Sequence, residues 1–179
     1  MTGMLSIDIS RCVSCKTCEL ECAVAHSRAG TLVGIVRDGE KAQRRIVVES
    51  AGPLSVPLQC RHCEDAPCVA VCPTKAMHKN GSQFPVLVEA ELCIGCRACL
   101  SVCPFGVIFM GREGAAVVKC DLCVSRLAKG ELPACAAGCP TGAIRYMTPE
   151  EASREVRHKA AESFLVAVER GRAAEGGSA

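Results

Sequence analysis

A single spacing of cysteines recurs four times and constrains the fold of this chain more than any other feature. Its plainest copy, at residues 93–104, reads Cys-x-x-Cys-x-x-Cys-x-x-x-Cys-Pro. The second copy has two additional residues in its second gap, and the fourth copy stretches that gap to eleven residues. The sixteen cysteines of the chain all belong to these runs: Cys12, Cys15, Cys18 and Cys22; Cys60, Cys63, Cys68 and Cys72; Cys93, Cys96, Cys99 and Cys103; Cys120, Cys123, Cys135 and Cys139. Any fold must therefore collect sixteen thiols into defined groups.

The spacing suits iron–sulfur clusters. A run of this kind wraps three thiolates around one [4Fe–4S] cube and sends the fourth thiolate to a second cube. Sixteen thiolates provide four ligands for each of four cubes. We therefore predict four [4Fe–4S] clusters, with every cysteine a metal ligand and none a catalytic nucleophile.

Two other uses of the cysteines fit the sequence less well. Disulfides would require a secreted chain, and no export signal is visible. Structural zinc can use paired Cys-x-x-Cys elements. Zinc does not explain four runs of four cysteines, or the proline that follows the last cysteine in three of them, at Pro73, Pro104 and Pro140.

The composition agrees with a core held together by clusters. Aromatic residues make up only 3 % of the chain and tryptophan is absent, so clusters would have to fill the interior, as metals do in small domains. Each cluster with its thiolates adds about −2, so four clusters would turn the formal charge of +2 into about −6. This charge argues against a general binder of nucleic acids or anionic membranes.

Nothing in the sequence predicts export or membrane insertion. The opening residues, MTGMLSIDIS, lack the basic region and apolar core of a signal peptide. The apolar stretches are too short to span a bilayer. Free thiols persist in a reducing compartment, so we predict a soluble, cytoplasmic protein.

The cysteine-rich part of the chain is predicted to be one domain, residues 1–147. An insert at 27–59 separates the first two runs. It is predicted to contain a hairpin with strands near 31–37 and 44–50 and a turn at Asp38-Gly39.

Shorter elements connect the runs. Strands are predicted at 4–9 and 84–92, ahead of the first and third runs. A second hairpin, formed by 106–110 and 115–118, is predicted between the third and fourth runs. Its turn would contain Gly111 and Gly114.

The chain changes character after residue 147. Thr148, Pro149 and Glu151 form a capping box with proline at the first helical position. This predicts a C-terminal helix within 148–171, followed by a disordered tail at 172–179. The apolar face of the helix is interpreted as packing on its own domain, with a partner subunit as the alternative.

Charged and titratable residues outside the runs give weaker signals. The histidines, His26, His62, His78 and His158, are interpreted as loop and surface residues. The alternative for His62, which lies between two ligands, is that it tunes a cluster by hydrogen bonding. The basic residues Lys41, Arg44 and Arg45 are interpreted as a solvated turn, with docking of an acidic partner as the alternative.

Four stretches of sequence resemble a known family. They are CRHCEDAPCVAVCP at 60–73, CIGCRACLSVCPFG at 93–106, KCDLC at 119–123 and CAAGCPTGAI at 135–144. They resemble the four-cluster, ferredoxin-like electron-transfer subunits of anaerobic oxidoreductases. These subunits serve formate dehydrogenases, formate hydrogenlyase, dimethyl-sulfoxide-reductase-type enzymes, CO dehydrogenases and tungsten aldehyde oxidoreductases.

The resemblance implies a fold and a set of ligands. The fold is α+β, with two interlocked bacterial-ferredoxin-like halves, a hairpin insert and a C-terminal helix. Each half holds two [4Fe–4S] clusters, and the runs exchange their fourth ligand. The implied ligand sets are Cys12, Cys15 and Cys18 with Cys139; Cys120, Cys123 and Cys135 with Cys22; Cys60, Cys63 and Cys68 with Cys103; and Cys93, Cys96 and Cys99 with Cys72.

The resemblance also implies a non-catalytic subunit that relays single electrons through four clusters, between a catalytic metalloenzyme subunit and a redox partner. The opening run, CVSCKTCELECAVAHS at 12–27, is most similar to the small soluble members that serve CO dehydrogenase or tungsten aldehyde oxidoreductase. These two enzymes are therefore the preferred partners. The alternatives are a subunit of a formate dehydrogenase or hydrogenase complex, a free polyferredoxin, and a maturation or redox-sensing iron–sulfur protein.

Overall fold

A computed structural model describes residues 3–112 and 116–176. The strands are β1 Met4–Ile7, β2 Ile46–Ala51, β3 Leu54–Gln59, β4 Met77–His78, β5 Leu87–Val88, β6 Ile108–Met110, β7 Val117–Lys119 and β8 Ile144–Met147. The helices are α1 Thr17–Ala25, α2 Leu32–Asp38, α3 Pro67–Ala70, α4 Ala98–Val102, α5 Val124–Leu127, α6 Ala134–Ala137 and α7 Pro149–Gly176, with 3-10 turns at Ile9–Arg11 and Ala90–Leu92. This mixture of helices and small strands agrees with the predicted α+β class.

The strands form two-stranded antiparallel sheets, one of which joins the two ends of the cysteine-rich part. β1 pairs with β8, placing Met4 opposite Met147 and Ile7 opposite Ile144. The other sheets pair β2 with β3, β4 with β5 and β6 with β7. Because the first run follows β1 and the fourth run precedes β8, this sheet brings together the two runs that lie furthest apart in sequence.

The buried residues form two hydrophobic cores. The first contains Leu5, Ile46 and Ile144 together with cysteines of the first and fourth runs. The second contains Met77 and Val86 together with cysteines of the second and third runs. The chain is therefore grouped as run one with run four and run two with run three. The interlocking of two ferredoxin-like halves stays a prediction.

The insert contains a hairpin, but only the second of its two predicted strands, near 44–50, corresponds to a strand, β2. The segment predicted as the first strand is helix α2, and the hairpin is formed by β2 and β3. The Thr31 side chain accepts a hydrogen bond from the backbone N–H of Gly34 at 3.1 Å, which caps the start of α2. Gly39 ends α2 with a left-handed conformation, φ +61°. A glycine with positive φ suits a helix end as well as a hairpin turn, so Asp38-Gly39 did not distinguish the two.

The other predicted short elements are present. β6 and β7 form the hairpin between the third and fourth runs, closed by a hydrogen bond from Gly111 N–H to Ala116 O at 2.9 Å. Gly114, the other glycine of the predicted turn, lies outside the described residues. The strand predicted at 84–92 is shorter than expected, because β5 is followed by the 3-10 turn at Ala90–Leu92.

The C-terminal helix begins as predicted and extends further. The backbone N–H of Thr148 donates to Glu151 Oε2 at 2.8 Å and the N–H of Glu151 donates to Thr148 Oγ1 at 3.2 Å, which completes the capping box. Helix α7 continues to Gly176, so the tail predicted at 172–179 is helical over 172–176. Residues 177–179 lie outside the described residues.

The predicted packing of α7 on its own domain is wrong for most of its apolar face. Val156 and Phe164 are 68 % and 71 % exposed, and Val168 is also exposed. Polar contacts near the N-terminal end hold the helix: Arg145 donates to Glu155 at 2.6 Å, and Lys159 lies 3.5 Å from Asp8. The apolar face is thus left accessible.

Candidate iron–sulfur cluster sites

The Cys-x-x-Cys loops of the four runs share one backbone feature. The residue just before the second cysteine has a positive φ in every loop, at Ser14, His62, Gly95 and Leu122. This left-handed conformation turns backbone N–H groups toward the first thiol: His62 N–H donates to Cys60 Sγ and Leu122 N–H to Cys120 Sγ, both at 3.4 Å. Only Gly95 carries a sequence signal for this conformation, since glycine adopts it without strain. The other three positions were not predicted.

The third cysteine of each run occupies the same place in a helix. These residues are the second residues of α1, α3, α4 and α6, and all four are buried: Cys18, Cys68, Cys99 and Cys135. Each run therefore presents thiols from a tight loop and from the helix that follows it. Such an arrangement can surround a compact cluster on several sides.

Two sets of thiols line small cavities. One cavity is bordered by Cys12, Cys15 and Cys18 of the first run and by Cys139 of the fourth. The other is bordered by Cys93, Cys96 and Cys99 of the third run and by Cys72 of the second. In both cases the fourth thiol comes from a different run.

The remaining thiols also lie near members of other runs. Burial raises the pKa of Cys135, and nearby Cys120, Cys22 and Cys123 raise it further. Burial likewise raises the pKa of Cys68, with smaller contributions from Cys60 and Cys103. In the apolar interior these thiols resist ionisation, so a cation is needed to hold them as thiolates. The donor set therefore fits an iron–sulfur cluster.

Hydrogen bonds reach the sulfurs from outside the loops as well. The backbone N–H of Met77 donates to Cys72 Sγ at 3.4 Å, and the Thr74 hydroxyl lies 3.8 Å from the same sulfur. Thr141 stands in the same relation to Cys139, also at 3.8 Å. Burial opposes ionisation at Cys72 and Cys139, but these hydrogen bonds outweigh it and lower both pKa values. The Cys-Pro-Thr sequence shared by the two runs is the signal that was missed.

A charged network surrounds Cys22. Its sulfur accepts a hydrogen bond from Arg45 N–H at 3.3 Å. The Arg45 side chain donates to Asp121 Oδ2 at 2.8 Å, and His26 Nε2 lies 3.0 Å from Asp121 Oδ1. His26 Nδ1 lies 2.8 Å from Cys22 O. Both ring nitrogens of His26 therefore face acceptors, which requires the doubly protonated imidazolium.

The pKa shifts in this network agree with its geometry. Burial alone would lower the pKa of His26, but the hydrogen bonds to Asp121 and Cys22 prevail and raise it to about 9. Burial alone would raise the pKa of Asp121, yet the contacts with His26 and Arg45 hold it well below its usual range. The group His26, Asp121 and Cys123 also has metal-ligand spacing, but the carboxylate and the imidazole are already committed to each other.

These contacts correct two predictions. His26 is not a surface residue, because only 11 % of its side chain is exposed. Neither Arg44 nor Arg45 is a free docking charge: Arg44 lies 3.2 Å from Glu19, and Arg45 is bound to Asp121. Two of the three basic residues predicted as a solvated turn are thus bound to carboxylates.

The side chain of His62 is also partly buried, contrary to prediction. Its Nδ1 accepts a hydrogen bond from Val86 N–H at 3.1 Å. Burial, reinforced by the charge of Lys119, lowers the pKa of His62 to about 3. Its Nε2 is buried and has no hydrogen-bond partner among the described residues. The contact with Cys60 comes from the backbone of His62 and not from its ring.

The exposure of the cysteines differs along the structure. Cys15 and Cys96 are exposed, and they belong to the two thiol sets that line cavities. Cys22, Cys120, Cys123 and Cys135 are all buried. The first and third runs therefore each place one thiol at the surface, whereas three of the four thiols of the fourth run are buried.

A comparison with protein families identifies this arrangement. Residues 52–148 match the family described as "4Fe-4S dicluster domain". The chain belongs to the 4Fe–4S dicluster family. This membership supports [4Fe–4S] clusters as the cofactor of the dicluster domain.

Relatives of this dicluster protein include an iron–sulfur protein, an electron-transport protein and an oxidoreductase subunit. An iron–sulfur protein of Rhodospirillum rubrum is 42 % identical, over 76 % of this chain and 77 % of the relative. YsaA of Escherichia coli K12, whose name assigns it to electron transport, is 35 % identical over 86 % of this chain and 95 % of its own. A subunit of the anaerobic dimethyl sulfoxide reductase of Escherichia coli K12 is 36 % identical, over 78 % of this chain and 70 % of that subunit.

These relatives decide part of the predicted function. The resemblance to ferredoxin-like electron-transfer subunits of anaerobic oxidoreductases is confirmed, and the dicluster protein is an electron-transfer component rather than a catalytic subunit. The preference for CO dehydrogenase or tungsten aldehyde oxidoreductase receives no support from them. Within residues 3–112 and 116–176, no helix has both the length and the hydropathy to cross a membrane.

Proposed function

We propose that this chain carries single electrons through four [4Fe–4S] clusters, between a catalytic metalloenzyme subunit and a second redox partner. When bound, each cluster supplies one-electron redox chemistry. The observation that carries the proposal is that two small cavities are each lined by four thiols from separate runs, as at Cys12, Cys15, Cys18 and Cys139.

The proposed ligands are the four sets of the sequence prediction. Two of them border cavities. The other two are supported by the proximity of Cys135 to Cys22 and of Cys68 to Cys103.

The helices give a physical reason for efficient relay. Cys18 and Cys22 lie four residues apart on α1, hence on one face of the helix. They belong to different proposed sets, so one rigid turn fixes the separation of two neighbouring clusters. The protein's other task is to set potentials, through burial and N–H···S hydrogen bonds such as the one from Met77 to Cys72.

The thiol exposures suggest an order for the relay. The sets containing Cys15 and Cys96 would be the two ends, since these cysteines reach the surface. The set containing Cys22 and the set containing Cys60 would lie between them. Electrons would enter at one end and leave at the other.

The proposed catalytic partner is of the dimethyl sulfoxide reductase or formate dehydrogenase type, because subunits of such enzymes are among the relatives. We place the complex in the cytoplasm, where thiols stay reduced. A free polyferredoxin and a maturation or redox-sensing protein remain the alternative functions.

Metal content tests the number of clusters. Anaerobically purified protein is expected to contain about sixteen iron atoms and about sixteen acid-labile sulfides per chain, four of each for every cube. Iron and sulfide near eight each, with zinc making up the difference, would contradict the four-cluster assignment.

Co-purification tests the role. A tagged chain expressed anaerobically in its own host is expected to bring down a larger polypeptide together with molybdenum or tungsten. Truncation after Met147 removes the exposed apolar face of α7 and is expected to reduce this co-purification without loss of iron. A lone monomer that reduces several enzymes would indicate a free ferredoxin, and one that donates clusters to apoproteins would indicate a maturation protein.

A further inference from the structure

Lys119 is a buried cation between the two hydrophobic cores. It ends β7, directly before Cys120, and only 2 % of the residue is exposed. Its Nζ donates hydrogen bonds to Val86 O and, at 2.7 Å, to Cys120 O. Val86 belongs to the second hydrophobic core. Cys120 opens the fourth run, which packs in the first hydrophobic core.

Within residues 3–112 and 116–176, this charge has no counter-charge from a carboxylate. In the described part of the chain, no Asp or Glu oxygen lies within 4.0 Å of Lys119 Nζ. The nearby carboxylate of Asp121 is already bound to Arg45 and His26. A buried charge without a counter-charge is strongly unfavourable, so the negative charge has to come from elsewhere.

The thiol sets on either side are the available source. Lys119 Nζ lies 2.7 Å from the backbone oxygen of Cys120, and its other acceptor, Val86, packs in the hydrophobic core that contains Cys68. Lys119 is thus close enough to act on thiols of the second run and of the fourth. These two runs provide most of the ligands of the two inner cluster sites proposed above.

We propose that Lys119 is a fixed positive charge between the two inner cluster sites, one with Cys60, Cys63, Cys68 and Cys103 and the other with Cys22, Cys120, Cys123 and Cys135, and that it favours the reduced form of both. This inference rests on the proposed function, since it uses those ligand sets. Reduction adds one electron, and therefore one negative charge, to a site. A cation held in the dry interior stabilises that added charge more than solvent-exposed lysines do.

A purely structural role would have different consequences. The two hydrogen bonds of Lys119 also tie Val86 to the loop of Cys120, and a neutral donor could perform part of that task. The reduction potential of the clusters separates the two roles, because it responds to the positive charge and not to the hydrogen bonds that connect Val86 with Cys120. Lys119→Gln keeps an N–H donor without the charge, and Lys119→Met removes both.

The experiment is an anaerobic redox titration followed by electron paramagnetic resonance, on the full-length protein with its clusters. In both variants, two of the four clusters are expected to become harder to reduce. At a given applied potential, their ratio of reduced to oxidised form should fall by at least about tenfold, which corresponds to a potential lower by about 59 mV for a one-electron couple. Lys129→Gln is the matched control, because it removes the same charge from an exposed position. It is expected to leave all potentials unchanged.

Each other outcome has a definite meaning. Potentials unchanged in both variants, at wild-type iron content, would overturn the proposal, as would an equal shift in Lys129→Gln. If both variants lose iron, Lys119→Arg decides, because arginine keeps the charge. Near-wild-type potentials support the fixed charge, whereas a tenfold or larger decrease in the ratio of reduced to oxidised form overturns it. Fewer than four reducible clusters in the wild-type protein would instead overturn the proposed function.

Discussion

Replacing Cys22 with serine is expected to disrupt the cluster of Cys120, Cys123 and Cys135, far along the chain, and to spare the cluster of its own run. Cys22 is buried, accepts a hydrogen bond from Arg45 N–H at 3.3 Å and lies close to these thiols. Serine offers a hydroxyl in place of the soft thiolate that iron–sulfur clusters require.

Iron analysis and spectroscopy measure this effect. The iron content should fall from about sixteen toward about twelve atoms per chain, and one of four spectroscopic signals should disappear or change. Cys18→Ser is the matched control, since Cys18 lies one helical turn away on α1 and is buried to a similar extent. It should affect a different signal. If both variants damage the same cluster, the exchange of ligands between runs is wrong.

Replacing Asp121 with asparagine is expected to destabilise the folded protein by roughly 2 kcal/mol. Asp121 accepts hydrogen bonds from Arg45, His26 and the backbone N–H of Cys123. Asparagine leaves the two cations without a counter-charge. Breaking a fully buried ion pair costs about 3–5 kcal/mol, and the smaller figure allows for the 24 % exposure of the Asp121 side chain.

Anaerobic thermal denaturation provides the measurement. For a chain of this size the change corresponds to a melting temperature lower by about 4–8 °C. The cluster proposed at Cys22, Cys120, Cys123 and Cys135 should be the first that a chelator removes. Asp38→Asn is the control, because the ion pair of Asp38 with Arg37 is exposed and is expected to contribute nothing measurable. Equal melting temperatures for wild type and Asp121→Asn would show that the network does not support the fold.

Reversing the charge of the basic residues in the insert would not isolate their role in partner docking. Glutamate at Arg44 and Arg45 would face Glu19 and Asp121. A variant with both changes would therefore weaken the fold itself, and a loss of partner binding could not be assigned to docking. The exposed face of α7 is a better place to test partner contact, because Phe164 and Val168 are exposed.

Much of the candidate site could be predicted because most ligands of a cluster are residues that lie close together in the sequence. In the first three runs, the Cys-x-x-Cys loop and the third cysteine on the following helix lie within nine residues of sequence, so their arrangement is determined locally. The capping box at Thr148 and Glu151 was predictable for the same reason, since its hydrogen bonds join residues three apart. The hairpin of β6 and β7 is likewise closed by a short connection.

Other features depend on contacts between distant segments. Asp38-Gly39 fits a hairpin turn or a helix end equally well, and only the packing of the insert selects the helix α2. His26 and Asp121 are separated by 95 positions in sequence, yet they form a hydrogen bond at 3.0 Å. The side chain of Lys119 reaches Val86, 33 positions away. No local pattern marks any of these partners.

The sequence by itself determined the cofactor class, the candidate ligands and the family, because thiol number and spacing are chemical requirements of the cluster. Only the tertiary structure decided which charges face the thiols. The pairing of β1 with β8 brings the first and fourth runs together, and burial then forces each charged group there to find a partner. Arg45 meets this requirement with Asp121, whereas Lys119 meets it with carbonyl oxygens and, as we propose, with the clusters themselves.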